Sequence, residues 1–266
     1  MLESEITKMV ADQNFFVRPN QVMEDPLTGK SREIDLVAEH VFQTKERHRR
    51  KFDTKCETRV NLVFEAKNNA APIVLLTEGE FSGSSIHGNY EGIKESIEIP
   101  EGVDAFAYRG FALPLIDEGH YPIFNQYCSF DAKKPRKEGV ELMANHSDRV
   151  HLGLEKICLY CEHLLEYEHR DENLSGFLRN VVSIPVLLIS DDLYHLSTHE
   201  NSEPKLIKSD ISILVHNYHY KKAPSTCFVF VITRNGLPKF LKSIIALETK
   251  LELELIEFRN ESKGSF

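Results

Sequence analysis

Long apolar runs are missing from this chain. No window approaches the roughly 18 uninterrupted apolar residues that a membrane-spanning helix needs, so no membrane span is expected. The opening MLESEITKMV has neither the basic start nor the apolar core of a secretory leader, which makes a cytoplasmic setting the expectation. Cysteine is sparse and odd in number, five in 266 residues, arguing for reduced thiols rather than a disulfide framework. No internal repeat is present, and only the tail after Phe258 has a disordered composition.

Several familiar signatures are also incomplete. TGKS at 28–31 has Glu24 where a phosphate-binding loop needs its first glycine, so the segment reads as a turn. Cys158, Cys161 and His163 have zinc-like spacing, but no second cysteine pair completes four ligands. The pair sits inside a helical pattern whose apolar face includes Cys161, and core packing is the reading. No G-x-S-x-G elbow is present. Asp191 and Asp192 close a buried strand and read as a turn, and His216 and His219 lie in another strand.

An excess of positive charge is missing too. The net charge is −9, which at first disfavours a nucleic-acid partner. Its distribution matters more than its sum. Between Gln43 and Arg59 stand seven basic residues (Lys45, Arg47, Arg49, Arg50, Lys51, Lys55, Arg59) against three acids, and KKPRK at 133–137 holds four more. Each cluster reads either as a solvated loop or as a phosphate contact. With 41% apolar and 27% charged residues, the chain is globular and long enough for a sizeable core.

What is there begins with an amphipathic helix over 2–13, carrying Leu2, Ile6, Met9 and Val10 at helical spacing. FFVRP reads as a strand entering the turn DPLTGK, REIDLVAEHVF as the next strand, and VNLVFEAK as a third, with 43–59 a hairpin excursion between the last two. PIVLLTE is a further strand. Otherwise residues 70–147 read as an irregular insertion, with strands of its own around AFAYRGFALPLI. A helix follows over 148–170, then strands at VVSIPVLLIS, DISILVHNYHY and TCFVFVIT, and a closing helix from LPKF to IEF.

The most informative residues are Asp35 in REIDLVAE, and Glu65 and Lys67 in VNLVFEAK. Strand side chains repeat every second residue on one face. Glu65 and Lys67 therefore point one way, with Leu62, Phe64 and Ala66 opposite. Asp35 likewise opposes Ile34, Leu36 and Ala38. If the two strands pair in register, two carboxylates and an ammonium converge on one side of a sheet whose other side is buried. Aspartate is depleted in strands, so Asp35 needs a reason beyond solvation. Two carboxylates suit a hydrated Mg²⁺, and a nearby lysine can position the attacking water.

These residues resemble the PD-(D/E)XK, or restriction-endonuclease-like, nuclease superfamily. Its hallmark is a helix bearing a glutamate, then a three-stranded meander with aspartate on the second strand and (D/E)-x-K on the third. The resemblance implies an α/β fold with a mixed central sheet flanked by helices, here one domain over 1–266 with the insertion at about 70–147. It implies Mg²⁺ or Mn²⁺ held by Asp35, Glu65 and the carbonyl of Ala66, with Glu3 joining from the first helix and Glu5 in reserve. Lys67 would then orient the nucleophile. The first 18 residues are similar to the opening of Holliday-junction resolvases. The Q-x-x-x-Y of some members reads Lys156 and Tyr160 here, so its glutamine is absent.

The function implied is endonucleolytic cleavage of double-stranded DNA, in restriction, phage defence or mobile-element processing. Two alternatives are a repair or junction nuclease, and a catalytically silent interaction module. Beside such a site Arg47, Arg49, Arg50 and Lys51 are the expected phosphate contacts, and double-strand cutting favours a homodimer.

Overall fold

The computed structural model describes residues 2–26, 28–44, 56–69, 71–78, 92–98, 111–132, 142–145, 148–168, 178–190, 192–197 and 203–263. Helix α1 (Leu2–Ala11) leads into strands β1 (Phe16–Glu24), β2 (Ser31–Thr44) and β3 (Cys56–Lys67), an antiparallel meander. Asp25 makes the first turn. It accepts the Thr28 amide and pairs with Arg32 at 2.7 Å, while Gly29 takes a positive φ of 66°. The TGKS run thus belongs to the β1–β2 turn that the nearby proline and glycine imply.

Helix α3 (Asp148–Glu168) follows later and returns the chain to β8 (Leu178–Ile189), which lies parallel to β3 along its whole length, from Cys56↔Leu178 to Lys67↔Ile189. A parallel neighbour requires such a crossover. Pro185 stands inside this central strand. On the edge away from β3, its place falls between the stretch paired with β5 (Lys94–Glu98), which ends at Ser183, and the stretch paired with β12 (Ala223–Thr233), which starts at Val186. A residue without an amide hydrogen interrupts no pairing on that edge.

The segment read as an irregular insertion is more regular than its sequence suggested. It contains β4 (Ile73–Glu78), β5, helix α2 (Ala112–Gly119), β6 (Ile123–Ala132) and β7 (Leu142–Asn145). ALPLI, read as part of a strand, is helical. Pro114 sits in the first turn, where its missing N–H would have had no partner anyway. Strands β9 (Leu193–Ser197), β10 (Lys205–Ser209), β11 (Ile211–Tyr220) and β12 complete a sheet ordered β1-β2-β3-β8-β12-β11-β6-β4-β9-β10, with β5 on β8 and β7 on β6. The sheet is mixed: β3–β8, β8–β12, β11–β6 and β4–β9 are parallel. Helix α4 (Leu237–Lys263) closes the chain and continues past Phe258, where a disordered tail was expected.

Helices cover both faces. On one, Ile6 and Val10 of α1, Leu115 of α2 and Phe240, Leu241 and Ile244 of α4 bury Leu62, Phe64, Ile184 and Phe230. On the other, Leu154, Ile157, Cys158 and Cys161 of α3 bury Val37, Val63, Leu187 and Val229. Two covered faces explain why VVSIPVLLI and CFVFVI are continuous apolar runs rather than alternating ones. Truncating a fully buried side chain such as Phe64 to alanine costs about 3–5 kcal/mol. Cys158 and Cys161 are fully buried free thiols, as the core reading of that helix required. Among the described residues, no helix is long and apolar enough to cross a membrane.

Candidate active site

The pleat of β2 breaks at Asp35. Leu36 and Ala38 enter the core under α1 and α4, whereas Ile34 enters the core under α3 together with Val37. Ile34 is therefore not on the face with Leu36 and Ala38, as strict alternation required. Pairing with β3 begins only at Leu36↔Phe64, so the two strands part just beyond it. In the gap, Asp35 Oδ2 accepts the backbone N–H of Ala66 at 2.8 Å. The side chain thus replaces the ladder bond that the departing strand no longer supplies.

Glu65 and Lys67 behave as their spacing implied. They share the face under α3, and Lys67 Nζ donates to Glu65 Oε1 at 2.5 Å. Ala66 turns to the opposite core with Leu62 and Phe64. The end of β3 is clamped to β8, because the Ser190 N–H donates to Lys67 O and to Asn69 Oδ1, both at 3.1 Å. This face is roofed by α3, leaving Glu65 only 4% exposed. Gly153 makes this close roof feasible. A Cβ there would stand 3.0 Å from Glu65 Cγ and 3.2 Å from Lys67 Cε.

Helix α3 also brings a residue that the motif did not assign to the site. Lys156 Nζ contacts Glu65 Oε2 and lies 3.7 Å from Asp35 Oδ1. A signal existed, since Gly153 inside a helix costs about 1 kcal/mol relative to alanine and marks a close approach. Asp35's carboxyl is held above its ordinary value. Burial is the first cause, partly offset by the Ala66 N–H; the charges of Glu65 and Glu3 raise it further and that of Lys156 lowers it. Glu3 is therefore within electrostatic reach of Asp35, whereas Glu5 is committed to an ion pair with Arg234.

Other candidates lie elsewhere. His216 is buried beside His151, with ring centroids 5.3 Å apart, and its pKa is lowered to about 4, by burial first and then by His151. Asp192 pairs with Lys208 at 2.5 Å and accepts the Tyr194 hydroxyl, which suits the turn reading. Arg47, Arg49, Arg50 and Lys51, like the KKPRK cluster, fall outside the described residues. Their flanks Thr44 and Cys56 are paired as a hairpin, and Cys56 is nine residues from Glu65, roughly 30 Å along an extended strand. Arg59 is not a loop residue but part of β3, paired with Glu57 at 3.1 Å and near Glu39 at 3.7 Å. A groove between α2 and α4, lined by Leu115, Tyr121, Ser243 and Leu247, opens on the other face of the sheet.

Compared with protein-family models, curated proteins and solved structures, the chain matches none.

Proposed function

We propose that this protein is a metal-dependent endodeoxyribonuclease with a restriction-endonuclease-like core, acting on double-stranded DNA in restriction, phage defence or mobile-element processing. The observation that carries this reading is the approach of Asp35 and Glu65 to a single ammonium, with Lys67 hydrogen-bonded to the other oxygen of Glu65. The order of elements supports it: a helix, an antiparallel meander, and a helix crossing to a strand parallel to the third.

The donor chemistry fits a hard divalent cation. Carboxylate oxygens are its preferred ligands, and Mg²⁺ commonly takes only one or two of them, leaving the rest of its shell to water and substrate phosphate. Among the described residues no group of three or more His, Cys, Asp or Glu forms a metal cage, so the site would be of that sparse kind. The raised carboxyl of Asp35, crowded by Glu65 and Glu3, is a place where a cation relieves repulsion.

Asp35, Glu65 and the Ala66 carbonyl would hold Mg²⁺ or Mn²⁺, with Glu3 joining through water or at a second ion. A bound metal would supply an activated water and polarise the phosphoryl oxygens. Lys67 orients the nucleophile and offsets charge developing on the phosphoryl group. The Ala66 N–H holds Asp35 in place, and the Ser190–Asn69 clamp fixes the strand end from which Lys67 projects. A duplex reaching from the carboxylates to the base of the 45–55 segment would span about nine base pairs, at roughly 3.4 Å each.

The test is incubation of supercoiled, linear, single-stranded and branched DNA with Mg²⁺ or EDTA, beside Asp35→Asn and Lys67→Ala. Cleavage should need the metal, vanish in Asp35→Asn and fall by about 10²–10³ in Lys67→Ala. Full Mg²⁺-dependent cleavage by folded Asp35→Asn would sink the reading, and preference for branched DNA would move it to a junction nuclease. A second reading, a silent interaction module, is favoured by Lys156, since two ammoniums balance two carboxylates without any metal. A rise in melting temperature with Mg²⁺ or Mn²⁺ separates the two, because a ligand that binds the native state stabilises it.

A further inference from the structure

Lys156 occupies the position a cation shared by both carboxylates would take. Its ammonium contacts Glu65 Oε2 and lies 3.7 Å from Asp35 Oδ1, while Lys67 meets Glu65 at the other oxygen, Oε1. The Lys156 side chain is only 14% exposed and arrives from α3, which Gly153 allows to sit against Glu65 and Lys67. An ion pair this enclosed keeps more of its attraction than one in bulk water. An ammonium and a divalent cation cannot both hold the same two oxygens, so one must leave before the other binds. Lysine suits that exchange, being a point charge on a flexible stem.

We infer that Lys156 is a built-in competitor for the metal, released from Asp35 and Glu65 when a DNA phosphate offers it another anion. This rests on the nuclease reading and adds regulation to the same site. Without DNA, the ammonium occupies the carboxylates and metal binds weakly. With DNA, Lys156 turns to a backbone phosphate and the carboxylates become available. Metal and DNA therefore bind cooperatively, each raising the affinity for the other by the same factor, because binding linkage is reciprocal. The arrangement commits the metal only when substrate is present.

The test is calorimetric titration of Ca²⁺, a hard oxygen-seeking cation, into wild-type protein, Lys156→Met and Lys156→Arg, each with and without a short DNA duplex. Wild type should bind Ca²⁺ about tenfold or more tightly when the duplex is present, within the usual range of coupling between sites. Lys156→Met should bind Ca²⁺ about tenfold more tightly than wild type without DNA and lose the dependence on duplex, while Lys156→Arg should restore it. A lysine whose charge merely repels the metal would also tighten binding on removal but would leave the duplex dependence in place, so loss of that dependence in Lys156→Met marks the competitor and its retention overturns it. Unchanged or weaker Ca²⁺ binding in Lys156→Met, or duplex-independent binding in wild type, overturns the competitor role and leaves the metal site standing. Absence of Ca²⁺ binding in all three proteins, with and without duplex, overturns both. Should Lys156→Met not fold, the wild-type titrations with and without duplex still decide whether DNA and metal bind cooperatively.

Discussion

Two lysine–glutamate pairs lie under the same helix, and they are built differently. Toward the C-terminal half of α3, Glu162 Oε1 accepts from Lys94 Nζ at 2.9 Å, from the Tyr218 hydroxyl at 2.7 Å and from Ser225 Oγ at 3.2 Å. Lys94 also donates to Ser225 Oγ at 3.0 Å and stands 5.8 Å from the centre of the Tyr218 ring. Burial pushes the Tyr218 hydroxyl up, keeping it protonated and able to donate. One acid faces one ammonium, and neutral hydroxyls supply the remaining bonds. Six residues earlier, about 9 Å along the helix, Lys156 meets two carboxylates with a third, Glu3, in electrostatic range. Among the described residues, repulsion there is answered by flexible ammoniums and one amide. The first arrangement suits structure; the second suits a site that exchanges cations.

The largest effects should break this comparison outright. Asp35→Asn should abolish metal-dependent cleavage and the metal-induced rise in melting temperature while leaving the fold intact. Glu162→Gln should do the reverse. It leaves Lys94 buried without its counter-charge, at a cost of about 3–5 kcal/mol by chemical denaturation, while the folded fraction still responds to metal. Similar behaviour of the two variants would mean that both clusters are structural.

Lys67→Ala comes next. Single-turnover cleavage should fall by about 10²–10³, the usual loss for a transition-state stabiliser, with metal affinity near wild type or tighter. Equal losses in rate and affinity would reduce Lys67 to a structural partner of Glu65.

A smaller effect lies in the pH dependence of stability in EDTA. Asp35's folded pKa is raised from 3.8, so the native state prefers the protonated carboxyl. Below the unfolded-state value both states are protonated and no penalty exists; as pH rises through the folded-state value, the cost of the buried charge is fully imposed. Asp35→Asn should therefore gain stability relative to wild type as pH rises from about 4 toward 7. A constant difference across that range would remove burial as the cause.

The smallest effect concerns Gly153. Glycine to alanine inside a helix ordinarily stabilises by about 1 kcal/mol. At this position the added methyl presses on Glu65 and Lys67, so the gain should be cancelled and cleavage should slow. A full gain with unchanged cleavage would show that the roof over the site has slack.

Much of the leading half was legible in residue order. Ile6 and Val10 repeat at helical spacing and are buried, the three meander strands fall where their apolar runs lie, and Glu65 and Lys67 share a face. These features depend on local periodicity, which a strand or helix must obey wherever it packs. ALPLI was misread because a short apolar run containing proline has the same composition in a strand as in a first helical turn. Strict alternation failed at Ile34 because β2 leaves β3 there, an event set by the partner strand.

The sequence by itself determined which side chains β3 turns together, that Asp35 sits in an apolar strand, and that the chain builds a mixed α/β fold. Only the tertiary structure decided that α3 roofs the carboxylates, that Lys156 reaches both of them, that Glu5 pairs with Arg234, and that the base of the 45–55 segment lies far along β3. Each of these depends on where a crossover helix lands and where two strands part. Such positions are fixed by the packing of both sheet faces together, a long-range balance that no local spacing records.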